Sequence, residues 1–306
     1  MKKNKSVAVV IVTFNALKWI DKCLKSVASY HVIVVDNNSS DGTKEHILQN
    51  YPDISFFHQK KNLGFGKANN TGIKYAVKEG FNYVFLLNQD AYIQKNAIKY
   101  LIEIHKLNDS FGLLSPIHFN GKGDRLDRNF SNYLKYDNNA EFFGDAINGT
   151  LKDFYEVPFV NAAAWLIPIK TIEKIGGFDP IFFHYGEDDN YCQRVTYHKL
   201  KILIVSKSKI NHDRENRKKP KFEPYSKKYF SLIESNYKAT FGNILLENFI
   251  VKKQILKLTK KAFKMLLLLN FRFFIGILKE IYLLKKISPQ ISKSRKKNIE
   301  IGKHYI

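Results

Sequence analysis

Three consecutive acids, Glu187, Asp188 and Asp189, follow an aromatic run in GGFDPIFFHYGEDDNYCQR (176–194) and open a helical pattern that reaches His198. The dipole at a helix N-terminus favours ionised carboxylates there. An ionised Asp is what a general base needs at neutral pH, provided it reaches a hydroxyl. A charged first turn would look the same, so the reading depends on which other groups accompany it. Asp90 ends the run YVFLLNQD (83–90) in an N-x-D arrangement. A divalent cation under a diphosphate takes oxygen ligands and keeps several waters, so one or two carboxylates at such a turn suffice. Asp36 directly follows VIVV (32–35), where it could accept hydrogen bonds from a base or ribose, or merely cap a turn. In the segment that follows, NNSSDGT (37–43), Ser39, Asp41 and Gly42 read as a turn and a helix cap. NLGFGKANN (62–70) places two glycines before a helix, which would let the backbone approach a phosphate-bearing ligand. Their spacing is not that of the dinucleotide fingerprint.

These groups need a scaffold that brings them to one edge. VAVVIVT (7–13), VIVVD (32–36), ISFFH (54–58) and YVFLLN (83–88) are continuous apolar runs rich in β-branched and aromatic residues, as strands buried on both faces are. Between the first two, Leu17, Ile20, Leu24 and Val27 recur at helical spacing after Asn15, read as an N-cap. A second helix is expected over 67–79. The pattern predicts a doubly wound, mostly parallel α/β sheet, with ligands beyond the carboxyl ends of its strands. Those ends carry Thr13-Phe14-Asn15, Asp36 to Thr43 and Asn88-Gln89-Asp90. Residues 116–156 turn polar and irregular, suggesting a variable binding segment. VPFVNAAAWLIPI (157–169) and KILIV (201–205) read as further strands. After the charged stretch DRENRKKPK (213–221), the chain beyond Pro224 reads as mainly helical.

Hydrophobic residues make up 44% of the 306 and charged residues 25%, an ordinary globular composition. The net charge of +22 is not ordinary and implies an anionic partner: nucleic acid, acidic lipid or phosphorylated small molecules. From 244 to 306 there are fifteen Lys or Arg against three Glu. Within that tail, KMLLLLNFRFFIGILKEIYLLKK (264–286) is too often broken by polar residues to span a bilayer, and reads as a basic helix lying in a membrane interface. The N-terminal apolar run is too short for a signal peptide and reads as a strand. Two cysteines, Cys23 and Cys192, offer neither a disulfide framework nor a metal spacing, and imply a reducing, cytoplasmic setting.

Taken in order, VVIVTFNA (9–16), VVDNNSSDGT (34–43), NLGFGKANN, LLNQD (86–90), the acidic motif and His212 resemble the family-two glycosyltransferases of GT-A type fold, particularly the branch with bacterial rhamnosyltransferases. The resemblance covers about residues 6–215. It implies a nucleotide-sugar-binding domain over 1–215 with a mostly parallel central sheet, and a basic, mainly helical extension over 216–306. By the same resemblance Asp188 is the catalytic base, and Asp90 with His212 meets Mg²⁺ or Mn²⁺ on the diphosphate. Donor binding falls to Thr13, Asn15, Asp36, Asn38, Asn62, Gly64, Asn69, Asn88 and Gln89, and the acceptor region to Trp165, Glu187 and Asp189. The implied partners are a nucleotide-sugar donor, a glycan or lipid-linked acceptor and an anionic membrane surface at the inner face of the plasma membrane. A homodimer stays open. Asn88 stands where many relatives carry Asp, a form shared with the rhamnosyl branch, and Asn190 replaces a second acid. Gln193-Arg194 lack the Gln-x-x-Arg-Trp pattern of processive synthases, which points to single-sugar addition. A nucleic-acid-binding protein is disfavoured by the absence of a recognition motif and by the acids at strand ends. A noncatalytic scaffold remains the competing reading.

Overall fold

A computed structural model describes residues 4–214, 222–246 and 251–306. The four apolar runs form strands β1 (Asn4–Thr13), β2 (Tyr30–Asp36), β3 (Ser55–His58) and β4 (Tyr83–Asn88), with helices α1 (Ile20–Ser26), α2 (Thr43–Asn50) and α3 (Phe65–Lys78) between them. These strands lie side by side as β3-β2-β1-β4, all parallel. Short β5 (Ala91–Ile93) leads into α4 (Ala97–His105) and β6 (Phe111–Asn120). A 3-10 turn (Phe130–Leu134) and α5 (Phe142–Asn148) precede β7 (Phe154–Glu156) and β8 (Ala164–Pro168). Helices α6 (Ile169–Ile175) and α7 (Glu187–Tyr197) then lead to the long β9 (Lys201–His212). The full sheet runs β3-β2-β1-β4-β8-β6-β9-β5, with β7 on β9. β8 enters antiparallel between β4 and β6, and β6 runs parallel to β9.

Alternation along the strands feeds two cores. Ala8, Val10, Ile33, Val35 and Leu86 face the layer of α3 and α7, which supplies Ala68, Ile73, Tyr191 and Val195. Val7, Val9, Ile11, Val34 and Leu87 face α1, α2 and α4, which supply Ile20, Leu24, Ile47 and Leu101. Strands sandwiched by helices on both faces need apolar residues at every position, which is why they read as unbroken runs.

Several expectations need correcting. Asn15 does not cap α1, which begins at Ile20 without a side-chain cap. It takes a left-handed φ of 51° and its Oδ1 accepts from the Ser40 amide at 2.9 Å, tying the first loop to the second. Only 164–168 of the 157–169 run is strand, because β7 sits at the β9 edge while β8 inserts between β4 and β6, so the chain between them must cross the sheet. The irregular stretch begins after Asn120, since β6 carries 116–120, and KILIV extends to His212. The apolar 264–286 run is not one helix: α9 (Val251–Leu267) ends inside it and α10 (Phe271–Ile299) begins after a turn, capped by the Asn270 side chain. Of the charged stretch 213–221, residues 215–221 lie outside the described residues.

Beyond Pro224, α8 (Lys227–Gly242), α9 and α10 build a third core around Tyr237, Phe241, Leu258, Ile277 and Leu284. The chain end then returns to the first 200 residues. Asp179 Oδ2 accepts from Ser294, Asn298 and Tyr305, and the Gly177 amide donates to the His304 carbonyl at 2.8 Å.

Candidate functional site

Beyond the carboxyl ends of β1 and β4 opens a cleft of roughly 550 Å³, lined in part by Asn15, Asn62, Gly64, Asn88, Gln89 and Asp90. That volume suits a small-molecule or cofactor-sized ligand. Its shape is set by side chains that bind neighbouring loops. Gln89 accepts from the Phe14 amide at 2.8 Å and donates to the Phe14 carbonyl at 3.2 Å, so the first loop hangs on the fourth strand. Asn37, which the sequence reading passed over, donates to Asn62 Oδ1 at 2.9 Å and accepts from the Leu63 amide at 2.7 Å. Trp19, Phe14, Phe183 and His184 help complete the walls and were also missed, the first three being apolar and His184 lying unremarked in the run before the acids.

Four expected donor contacts sit elsewhere. Asp36 is wholly buried, and its carboxylate accepts from Thr13 Oγ1, Ser39 Oγ and the Ser39 amide, with His58 Nδ1 at 2.9 Å. Asp36 and Thr13 therefore fix the floor behind the cleft rather than line it. Asn69 is buried in α3 and donates to the Phe65 carbonyl, while Asn38 is an exposed turn residue with a φ of 66°. Trp165 does not reach an acceptor region either. Its ring is fully buried against Phe178 and Tyr191, as core packing of β8 requires.

Asp90 and His212 meet. β5 and β9 pair Ala91 with His212, which sets His212 Nε2 3.4 Å from Asp90 Oδ1 with both side chains almost fully buried. Neither ring nitrogen of His212 has a hydrogen-bond partner among the described residues, an expensive arrangement for a buried imidazole. A carboxylate and an orphaned imidazole fit a divalent cation, with diphosphate oxygens and water completing its shell. Among the described residues there is no group of three or more His, Cys, Asp or Glu that could hold a metal ion. Arg214 follows at once. Its Nε and Nη2 grip the Asp127 carboxylate at 2.8 and 2.5 Å. Burial works against ionising Asp127, but the Arg214 hydrogen bonds and charge outweigh it and hold the acid at about 2. Burial, with the neighbouring His212, keeps His118 well below its ordinary value and hence neutral.

The acidic turn reaches the same edge. Asp188 Oδ1 accepts from the Asp189 amide at 3.1 Å, and on the strand side the Ala163 carbonyl accepts from the Asn88 amide at 2.9 Å. Burial first, and the charge of Asp189 second, push Asp188 up to about 6 despite the backbone hydrogen bonds. Burial and the Asp188 charge push Glu187 further, to about 7, and burial raises Asp189. The helix dipole alone favoured low values; desolvation outweighs it here.

The glycines at 64 and 66 have a different use from the one expected. A Cβ at Gly64, which has a φ of 81°, would fall 1.9 Å from the Phe183 carbonyl oxygen, and one at Gly66 would strike the Phe178 side chain at 2.9 Å and meet Glu187. They admit the backbone and side chains of the acidic loop, and Gly64 also lines the cleft. Asn70 clamps that loop further, exchanging hydrogen bonds with both the amide and the carbonyl of Phe178.

A cleft at the carboxyl ends of parallel strands, with a buried Asp-His pair at its edge, is where an open α/β sheet of an enzyme takes its ligand. Residues 8–176 match the profile of Glycosyl transferase family 2, and the chain belongs to that family. It is 25% identical over 199 residues to the low-salt glycan biosynthesis hexosyltransferase Agl10 of Haloferax volcanii, covering 64% of this chain and 63% of that one. It is 23% identical over 220 residues to the dTDP-rhamnosyl transferase RfbF of Shigella flexneri, covering 68% and 69%. With the poly(ribitol-phosphate) beta-N-acetylglucosaminyltransferase TarP of Staphylococcus aureus it shares 26% over 261 residues, covering 80% and 75%. Among solved structures, GalNAc-T7 with UDP, GalNAc and Mn²⁺ superposes with a TM-score of 0.57 at 14% identity, over 77% of this chain and 47% of that one. The mannosyltransferase PcManGT of Pyrobaculum calidifontis with GDP-Man and Mn²⁺ gives 0.55 at 15%, over 94% and 73%. The chain thus spans less than two thirds of Agl10 and about half of GalNAc-T7. The fold is of the GT-A type, mixed α/β with a mostly parallel central sheet and C-terminal helices.

Proposed function

We propose that the chain transfers a single sugar from a nucleoside-diphosphate donor to a hydroxyl of a lipid-linked or cell-surface glycan, inverting the anomeric centre, at the cytoplasmic face of a membrane. The observation that carries the reading is the buried Asp90–His212 pair, whose imidazole nitrogens have no hydrogen-bond partner among the described residues, at a cleft that Asp90 lines. A divalent cation held by Asp90 and His212 would neutralise charge on the departing nucleoside diphosphate. Asp188 takes the proton of the acceptor hydroxyl as its oxygen attacks the anomeric carbon from the face opposite the diphosphate. With a value of about 6 it is ionised at neutral pH yet basic enough to accept that proton. The Asn37–Asn62 and Gln89–Phe14 bonds hold the cleft walls in register, and alignment of donor and acceptor supplies much of the acceleration.

The name of RfbF makes dTDP-rhamnose the first donor to try, and the titles of the solved structures add UDP and GDP sugars with Mn²⁺. The test is a panel of such donors with Mn²⁺ or Mg²⁺, scored for release of the nucleoside diphosphate. One donor should turn over slowly without acceptor and should lose that turnover with chelator. Neither binding nor turnover of any donor would leave the scaffold reading standing.

A further inference from the structure

Leu266 and Leu267 end α9, and Leu268 and Leu269 form the turn that leads to α10; the last three are 68%, 62% and 73% exposed. Four leucines at a helical turn would ordinarily fold inward; here each helix spends its inward face elsewhere. α9 buries Leu258 and Ala262, and α10 buries Gly276, Ile277, Glu280 and Leu284, in the shared core with α8. The outward faces are apolar too. On α9, Leu256, Phe263 and Leu267 recur at i, i+7 and i+11, one stripe at 3.6 residues per turn, and all are exposed. On α10, Phe271, Ile275, Leu278 and Tyr282 form the matching stripe, also exposed. Both stripes run into the leucine turn.

The flanks of these stripes are basic. Residues 251–299 hold fourteen Lys or Arg and one acid, Glu280. That acid is buried and accepts from Tyr229 and Tyr237, so it offers no countercharge at the surface. No helix among the described residues is long and apolar enough to cross a membrane. The far end of α10 is anchored at Asp179 through Ser294 and Asn298, so the leucine turn stands roughly 35 Å along the helix from that anchor.

We infer that the α9–α10 hairpin inserts its leucine turn into an anionic lipid surface, with the lysines of both helices on the headgroups. Apolar residues at the tip and cations beside them are what such an interface rewards, shallow burial of the first and attraction of the second. The inference deepens the proposed function and rests on it for its purpose, which is to hold the cleft near a lipid-linked acceptor. A second copy of the chain is the rival occupant. It fits less well, since two identical hairpins would bring like charges together.

The experiment sediments the full chain with phosphatidylcholine vesicles, with and without phosphatidylglycerol, and with no donor present. The wild type should bind the anionic vesicles and release as salt rises. The double variant Leu267→Gln, Leu268→Gln should lose at least about tenfold in vesicle affinity, because both side chains leave the apolar layer. An unchanged melting temperature shows that the variant folds, and a result read without donor stands apart from any failure of the transferase reading. Equal binding by variant and wild type overturns the tip. So does an absence of vesicle binding, with or without a dimer that the same substitutions split.

Discussion

Asp188 and Glu187 are adjacent carboxyls with different surroundings, and each carries its own pH signature. Asp188 sits at about 6, so below that pH its base form is lost and kcat/KM should fall about tenfold per pH unit. Asp188→Asn should leave donor binding nearly intact and cut transfer about 10³-fold. Equal loss of donor affinity in isothermal titration would assign Asp188 to the donor site instead. Glu187 is buried, its Oε2 has no partner among the described residues, and burial lifts it from 4.5 to about 7. In that interval the folded chain keeps a proton the unfolded chain has released, so this residue's contribution to stability declines as pH rises from 4.5 to 7 and stays low above it. Glu187→Gln should therefore stabilise the protein at pH 8 by up to about 3 kcal/mol and leave it little changed at pH 4, read from urea midpoints. The acids at 187–189 stand out in the sequence, but acids are common in a first helical turn, so their type alone did not assign them a role. Trp165 and Asn69 were misread because a motif gives a residue's place in the chain and not the direction of its side chain.

At the scale of the element, α7 is held in place from inside the helix layer, directly after the Phe183–His184 stretch that lines the cleft. Arg194, fully buried, donates to the carbonyls of Ile175 and Gly177, each at 2.6 Å, and to Asn190 Oδ1 at 3.2 Å. Asn190, where an acid was looked for, is thus an amide that orients a guanidinium inside the helix layer. Arg194→Met would strand both carbonyls without water and should cost about 3 kcal/mol in urea unfolding. An unchanged midpoint would mean the carbonyls find other donors. Most of the elements could be read in the sequence, since β1, β2 and β4 are buried on both faces and announce themselves as unbroken apolar runs, with the half-buried β3 at the sheet's edge. The insertion of β8 between β4 and β6 could not, because pairing between distant strands leaves no local trace. Nor could the break at Leu268–Asn270, where apolar residues continue through the turn.

At the scale of the whole molecule, the basic extension is not merely appended to the central sheet. Tyr305 and Asn298 converge with Ser294 on Asp179, Lys303 pairs with Glu173 at 2.9 Å, and His304 accepts from the Gly177 amide. Asp179 lies in the same loop as Phe183, which lines the cleft, and the Tyr305 ring stands over the Arg194 guanidinium. The last residues therefore close the loop that leads into α7. Lys303 and Glu173 are exposed and add little; the buried contacts matter. Deleting residues 300–306 removes the Tyr305 hydroxyl from Asp179 and the partner of the Gly177 amide, which should cost about 3 kcal/mol and lower the melting temperature by several degrees. The leucine-turn variants, acting at the other end of α10, should not move that temperature. If the truncated chain melts with the full-length protein, the return of the C-terminus onto Asp179 holds nothing, and the acidic loop owes its position to Asn70 and the glycines alone.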